Sequence, residues 1–392
     1  MNKIKTLLVI LIFWSNYTLG QESMIKGNIK GLNNDTLLVK YLKPNESFKY
    51  GKMIRSKTDT IYVKNGKFTY TNIDNEPIIL EIQSKVKKLG GGITTRKSLE
   101  LFLYLQPNEK IKIKGHKEKT FIDYTVEGSE ISEDFNRLRK SKLPLLIEST
   151  ELYLIRDTMR FKKVDKLEIE KVSKKIKQNW DLSLKMNSEF IDSNWDSHLT
   201  PYLLWHNGQL YKEHKKLSNR VRNGVNKPII DFEIERKKLS TELKKRIKEG
   251  VIKVGVKAPN FRLKDIENND FTLHSAKYEY MILDFWGSWC VPCIKGFPKM
   301  KEYYKKYGTR LEFIGIACKD REDKWKQSVK KHDVNWTQSF NNPKDKNSDI
   351  SFLYSINMYP TKIIINKEKK NVGVFEGESE AFYKKLDDLM KN

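Results

Sequence analysis

The stretch Asp284-Phe285-Trp286-Gly287-Ser288-Trp289-Cys290-Val291-Pro292-Cys293 decides how the last third of this chain is read. The apolar run Tyr280 to Phe285 is expected to be a buried strand, and Val291 to Tyr307 a helix. Cys290 then stands at a helix N-terminus, where unpaired N–H groups and the positive end of the helix dipole stabilise a thiolate. Pro292 fits the first turn, where its missing N–H costs nothing. Cys290 is thus the expected nucleophile, with a pKa lowered from about 8.5 toward roughly 7 or below. Cys293, one turn further in, is the expected shielded, resolving thiol. The same spacing is also half of a zinc site, but the one other cysteine is Cys318 and no histidine accompanies it at ligand spacing. A bridge across two residues closes too small a loop to gain much stability, so the pair reads as chemistry rather than as a staple.

Outward from this stretch, residues 250–392 form an ordered series. Short strands are expected at Phe261 to Leu263 and Phe271 to Leu273, then the buried strand and the dithiol helix. A second buried strand, Leu311 to Ala317, leads to a helix from about Glu322 to His332 and a helical turn at Asp349 to Ser355. Thr361 to Ile365 and Val372 to Phe375 pair as antiparallel strands, and Glu380 to Met390 closes the series as a helix. This order gives one α/β sheet covered on both faces. Cys318 ends the second buried strand and reads as a small buried hydrophobe, with a secondary exchange thiol as the alternative. Trp286 reads as core and Trp289, beside the nucleophile, as a partner contact.

Residues 255–392 resemble the thioredoxin superfamily, and within it the exported thiol-disulfide oxidoreductases of the TlpA and ResA type. The resemblance rests on Gly255-Val256-Lys257-Ala258-Pro259-Asn260-Phe261, the aromatic-rich WCxPC segment, and Met358-Tyr359-Pro360-Thr361. It implies that Pro360 is cis, faces the dithiol, and lets the Tyr359 backbone pair with an extended substrate, with Trp289 beside it. It implies that Pro298 kinks the active-site helix. Asp284 matches the buried acid of thioredoxin, which implies proton transfer with Cys293; the alternative is a structural, hydrogen-bonded acid. Closer relatives often carry a glutamate three residues after the second cysteine, where this chain has Gly296, and that shifts the expected proton-transfer role to Asp284.

Residues 21–130 read as a β-rich domain, expected to be a small antiparallel sandwich or barrel. Met24 to Lys30 alternates, and Ile61 to Val63 and Phe68 to Tyr70 flank the hairpin signal Asn65-Gly66. The domain resembles, diffusely, the β-rich domain of unassigned function that precedes thioredoxin-like domains in exported proteins of Bacteroidetes. Residues 131–249 change to helical spacing: Val172, Ile176, Trp180 and Leu184 recur every four residues, as do Leu239, Leu243 and Ile247. Pro201 and Pro228 mark breaks. This section is expected to pack on its neighbours, with a substrate groove or a dimer contact as the alternative. The expected fold class is therefore multidomain: β-rich front, helical middle, C-terminal thioredoxin fold.

Residues 1–20 read as a signal peptide, with Lys3 and Lys5 before a short apolar run and small residues ahead of Gln21. Periplasm or cell envelope is the expected location, and an uncleaved tether is the lesser alternative. The net charge of +25 falls mainly on residues 21–250. It suits a solvated lysine face, and also weak association with an anionic membrane surface or acidic partners. Nucleic acid is excluded as a partner, because no recognition motif is present. His198, His206 and His214 show no metal spacing, so neither metal nor cofactor is expected beyond the redox-active Cys290–Cys293 disulfide itself.

The expected function is reduction of disulfides in cysteine-containing client proteins of the envelope, with electrons from a membrane or envelope thiol donor. Cytochrome maturation is one process that similar proteins serve. Disulfide oxidase or isomerase activity, a peroxiredoxin-like peroxidase, and a binding or structural envelope protein with an accessory or vestigial thioredoxin domain are the alternatives.

Overall fold

Alternation of apolar and polar residues drives the front of the chain into half-buried strands. In the computed structural model, Ser23–Lys30 turns Ile25 and Ile29 inward, and Lys110–Lys117 does the same with Ile111 and Ile113. The structure describes residues 22–49, 52–53, 57–72, 76–87, 93–94, 96–273 and 278–391. The expected signal peptide lies outside these residues.

Two four-stranded sheets enclose one core. The first runs Ile122–Glu127, Lys110–Lys117, Ser23–Lys30, Lys67–Asn72, and the second Glu100–Leu105, Ile78–Gln83, Thr36–Leu42, Lys57–Tyr62. Ile25, Val39, Ile61, Leu80, Leu103 and Tyr124 meet between them. The expectation of an antiparallel sandwich needs one correction. Ser23–Lys30 pairs parallel to Lys110–Lys117, because the first strand is inserted between two partners from later in the chain. The Asn65-Gly66 turn forms, with φ of 50° and 75°, as a two-residue hairpin loop requires. Its two flanking strands then diverge into different sheets.

The middle section is helical. Glu130–Phe161 and Lys166–Ser193 are long helices, followed by Thr200–His206, Leu210–Glu213, Asn219–Arg222 and Lys227–Glu249. Pro201 and Pro228 lie in the first turns of their helices. Ile131, Leu199, Leu203, Val221 and Ile230 join Phe48, Ile79, Phe102 and Tyr104 of the β-rich part in a second core, so these helices pack on the sandwich. Ile176 is buried as the four-residue spacing requires, but Trp180 stays half exposed. The chain divides into two compact units, up to Ile234 and from Glu235, and the division falls within the helix Lys227–Glu249.

The C-terminal unit is an α/β sheet of five strands in the order Thr337–Phe340, Leu311–Ala317, Tyr280–Trp286, Thr361–Asn366, Asn371–Glu376. The first three are parallel and the last two antiparallel to their neighbours. Successive residues of Tyr280–Trp286 point to opposite faces. Ile282 and Trp286 join a core with Cys290, Cys293, Phe297 and Met300, and Met281, Leu283 and Phe285 join another with Tyr354 and Ile363. This parity puts Asp284 on the face that carries the dithiol helix. The strand Thr337–Phe340 was absent from the sequence reading; its Gln338 and Ser339 are polar but buried.

Candidate active site

The dithiol is built where the central strand stops. Tyr280–Trp286 ends, residues 287–289 turn, and the helix Val291–Tyr307 begins with Cys290 as its N-cap. Cys290 Sγ accepts a hydrogen bond from the Cys293 backbone N–H at 3.3 Å. This is the role an Asp or Ser oxygen usually takes at a helix start. Cys290 and Cys293 are joined in a disulfide, with Cα atoms 5.3 Å apart. Both are almost wholly buried in this oxidised state. Pro292 occupies the first turn and is exposed. Pro298, also exposed, lies inside the helix, where it removes one backbone hydrogen bond.

A second loop meets the first through aromatic rings. The Tyr359–Pro360 peptide is cis. The Tyr359 ring lies edge-on to Trp289 at 5.4 Å between centroids, and the Lys319 ammonium sits 5.4 Å from the same ring. Trp289 Nε1–H donates to Cys318 O at 3.2 Å, and Ser288 Oγ–H donates to Asp320 at 2.8 Å. The loop before the dithiol is therefore tied to the end of Leu311–Ala317 and to the proline loop. Trp289, Val291 and Met358 are 49%, 62% and 49% exposed, which leaves apolar surface on both loops. Val291 and Met358 escaped the sequence reading, although apolar residues flanking a cysteine and a cis-proline were the available signal. Trp286 is fully buried, stacks edge-on against Phe297, and donates to Gln338 Oε1 at 3.1 Å.

Asp284 belongs to a buried charged group that the sequence reading saw only in part. Antiparallel register sets it opposite Lys362, whose Nζ lies 3.7 Å from Asp284 Oδ1. Lys362 is 1% exposed and makes a shorter ion pair, 2.8 Å, with Glu378 Oε2. Glu378 also accepts from Tyr383 O–H at 2.8 Å. A Cβ added at Gly296 would lie 2.4 Å from Glu378 Oε2. The carboxylate from the turn before the last helix thus fills the space that the missing side chain at 296 leaves. Burial pushes the Asp284 carboxyl up from its ordinary range; the Lys362 ammonium opposes this, and the Glu378 charge adds to it.

Cys318 is fully buried, receives a weak 3.6 Å contact from Asn341 Nδ2–H, and has its thiol pushed up to about 12 by burial. It is an inert packing thiol in this environment. Among the described residues, no group of three or more His, Cys, Asp or Glu side chains could hold a metal ion. The redox centre is the disulfide itself.

The geometry defines a thioredoxin-fold dithiol protein, and comparison with known proteins narrows the class. Residues 254–372 match the AhpC/TSA family, and residues 24–135 match a domain of unknown function (DUF4369). The chain is 34% identical over 128 residues to the thiol-disulfide oxidoreductase ResA of Bacillus cereus, covering 32% of this chain and 72% of that protein. It is 32% identical over 127 residues to ResA of Bacillus subtilis, covering 32% and 69%. The solved thioredoxin domain of a thiol-disulfide oxidoreductase from Bacteroides vulgatus aligns with a TM-score of 0.33 and 25% identity, over 35% of this chain and 97% of that one. The chain belongs to the ResA-like thiol-disulfide oxidoreductases of the thioredoxin superfamily, with an additional N-terminal domain.

Two predictions follow from the burial of these groups. Iodoacetamide applied to the native, reduced protein adds at most two adducts by mass, and Cys318 is labelled after denaturant; rapid native labelling of Cys318 contradicts its burial. The Asp284 carboxyl has a raised pKa when folded, so its contribution to stability is present below the ordinary carboxylate pKa and is lost as pH rises through the raised value. Asp284→Asn cannot ionise, and Glu378 still pairs with Lys362. The urea midpoint of Asp284→Asn relative to the native chain is therefore expected to be higher at about pH 8 than at about pH 4. A pH-independent difference contradicts the assignment.

Proposed function

We propose that this chain is an exported reductase that transfers two electrons from the Cys290–Cys293 dithiol to disulfides of client proteins. The observation that carries the reading is the dithiol at a helix N-cap beside a cis-proline loop, with exposed apolar surface on both loops. In the reduced state, the Cys290 thiolate attacks one sulfur of a client disulfide. A Cys290–client bond forms, the client bond breaks, and the departing sulfur takes up a proton. Cys293 loses its proton and attacks Cys290 Sγ, which restores the internal disulfide and releases the second client thiol. Asp284 accepts the Cys293 proton in this scheme, with Lys362 and Glu378 holding its charge balance. Trp289, Tyr359 and Pro360 receive the client segment, and Pro292 and Pro298 shape the helix behind it.

The same reading assigns residues 1–20 to a signal peptide, 21–130 to the β-rich domain, 131–249 to the packing helices and 250–392 to the redox domain. It gives a cell-envelope location, cytochrome c maturation as one process served, and a membrane or envelope thiol as electron donor. No helix among the described residues is long and apolar enough to cross a membrane. The AhpC/TSA match favours one second reading, a thiol peroxidase; absence of peroxide turnover by the reduced protein disposes of it.

Cys293→Ser is expected to accumulate clients as mixed disulfides through Cys290, released by dithiothreitol and absent in Cys290→Ser. No trapped species in envelope extracts contradicts the client-reductase reading. Asp284→Asn is expected to slow disulfide exchange and flatten its pH profile between about pH 6 and pH 9. Native-like rates across that range remove the acid's role.

A further inference from the structure

The N-terminal unit carries a cavity lined by its own residues. It has a volume of about 350 Å³ and opens between the helices Glu130–Phe161, Lys166–Ser193 and Thr200–His206 and the segment Arg96–Phe102. The volume is at the low end of ligand pockets, which run from about 300 to 1,000 Å³. Much of the wall is apolar, with Phe135, Leu145, Leu146, Ile176, Trp180 and Tyr202 contributing. That explains why Trp180 is left half exposed on an otherwise core-facing stripe.

The charges on this wall do not balance. Lys97 pairs with Glu100 at 2.8 Å and with Glu81 at 3.3 Å, and Arg96 pairs with Asp157 at 2.8 Å. Two further cations line the cavity, and among the described residues neither has a carboxylate partner. Arg139 is 4% exposed; its Nη2 donates to Ser98 O and Ile122 O, its plane lies over Tyr124, and its Nε and Nη1 have no hydrogen-bond partner among the described residues. Lys142 is 7% exposed, and its one hydrogen-bond partner among the described residues is the neutral Asn187 Oδ1. Burial lowers its pKa to about 8, as expected for an ammonium without an anion. A buried cation without an anionic partner is destabilising, and an anion placed against it offsets that cost.

We propose that this cavity binds a small amphipathic anion, a single carboxylate head on an apolar body, with the head at Lys142 and Arg139 and the body along the apolar wall. A neutral amphiphile leaves both cations unpaired, and a cationic one adds repulsion. Discrimination by head-group charge therefore identifies the site.

The test uses the full chain, with octanoate, octanol and octylammonium compared by calorimetry. Octanoate is expected to bind at one site, at least about tenfold more tightly than either of the others. Lys142→Met is expected to weaken octanoate binding and reduce that preference, because Arg139 alone then faces the head group. Its unfolding midpoint should match or exceed that of the native chain, because a buried unpaired charge is removed, and its disulfide exchange should be unchanged. Ser183→Phe, which fills the cavity from its wall, is expected to remove octanoate binding by a second route. Equal binding of octanoate and octanol, no binding of octanoate, or octanoate binding that survives both substitutions overturns the proposal.

Discussion

The hydrogen bond from the Cys293 N–H to Cys290 Sγ, at the start of a seventeen-residue helix, is the contact on which the chemistry depends. A helix start leaves its first N–H groups without intrahelical partners, and here one of them is met by sulfur rather than oxygen. In the oxidised state, the bond fixes the sulfur at the positive end of the helix. In the proposed scheme, the same groups face the Cys290 thiolate after reduction and favour this charged form over the neutral thiol. The strand Tyr280–Trp286 sets this geometry, because it holds the helix start at the C-terminal end of the central strand of a sheet buried on both faces.

The same strand supplies the charge inside the domain. Its two-residue period puts Asp284 on the dithiol face, and antiparallel register brings Lys362 to it. Lys362 in turn is held at shorter range by Glu378. A lone carboxylate at this depth would be protonated or strongly destabilising. The Lys362 ammonium beside it opposes that cost, while burial raises its proton affinity. Gly296 is part of this arrangement, since a side chain there would displace the Glu378 carboxylate.

Much of this was legible from local sequence. The strand, the CxxC pair and the helix follow one another in a single short segment, so propensity, capping and spacing agreed on them. The cis-proline loop was legible only through a motif, because Met358-Tyr359-Pro360-Thr361 by itself says no more than that a proline precedes a strand. Non-local features escaped. Lys362 looked like one more polar residue in the run Thr361–Asn366, yet its parity opposite Asp284 was a usable signal once the two strands were known to pair. Glu378 reaches Gly296 from a separate element, and no spacing announces that. The strand Thr337–Phe340 buries Gln338 and Ser339, so its hydropathy argued against it. Glu130–Phe161 hid as one helix because it carries Pro144 and buries Asn136, Arg139 and Lys142 among its apolar residues.

The proposed exchange chemistry depends on the acidity of the Cys290 thiol. Rapid alkylation of Cys290 in the reduced protein, followed against pH, measures it directly. A titration midpoint well below the free-thiol value of about 8.5, near 7 or lower, is expected, shifting upward in denaturant. A midpoint at or above the free-thiol value in the folded protein would contradict it.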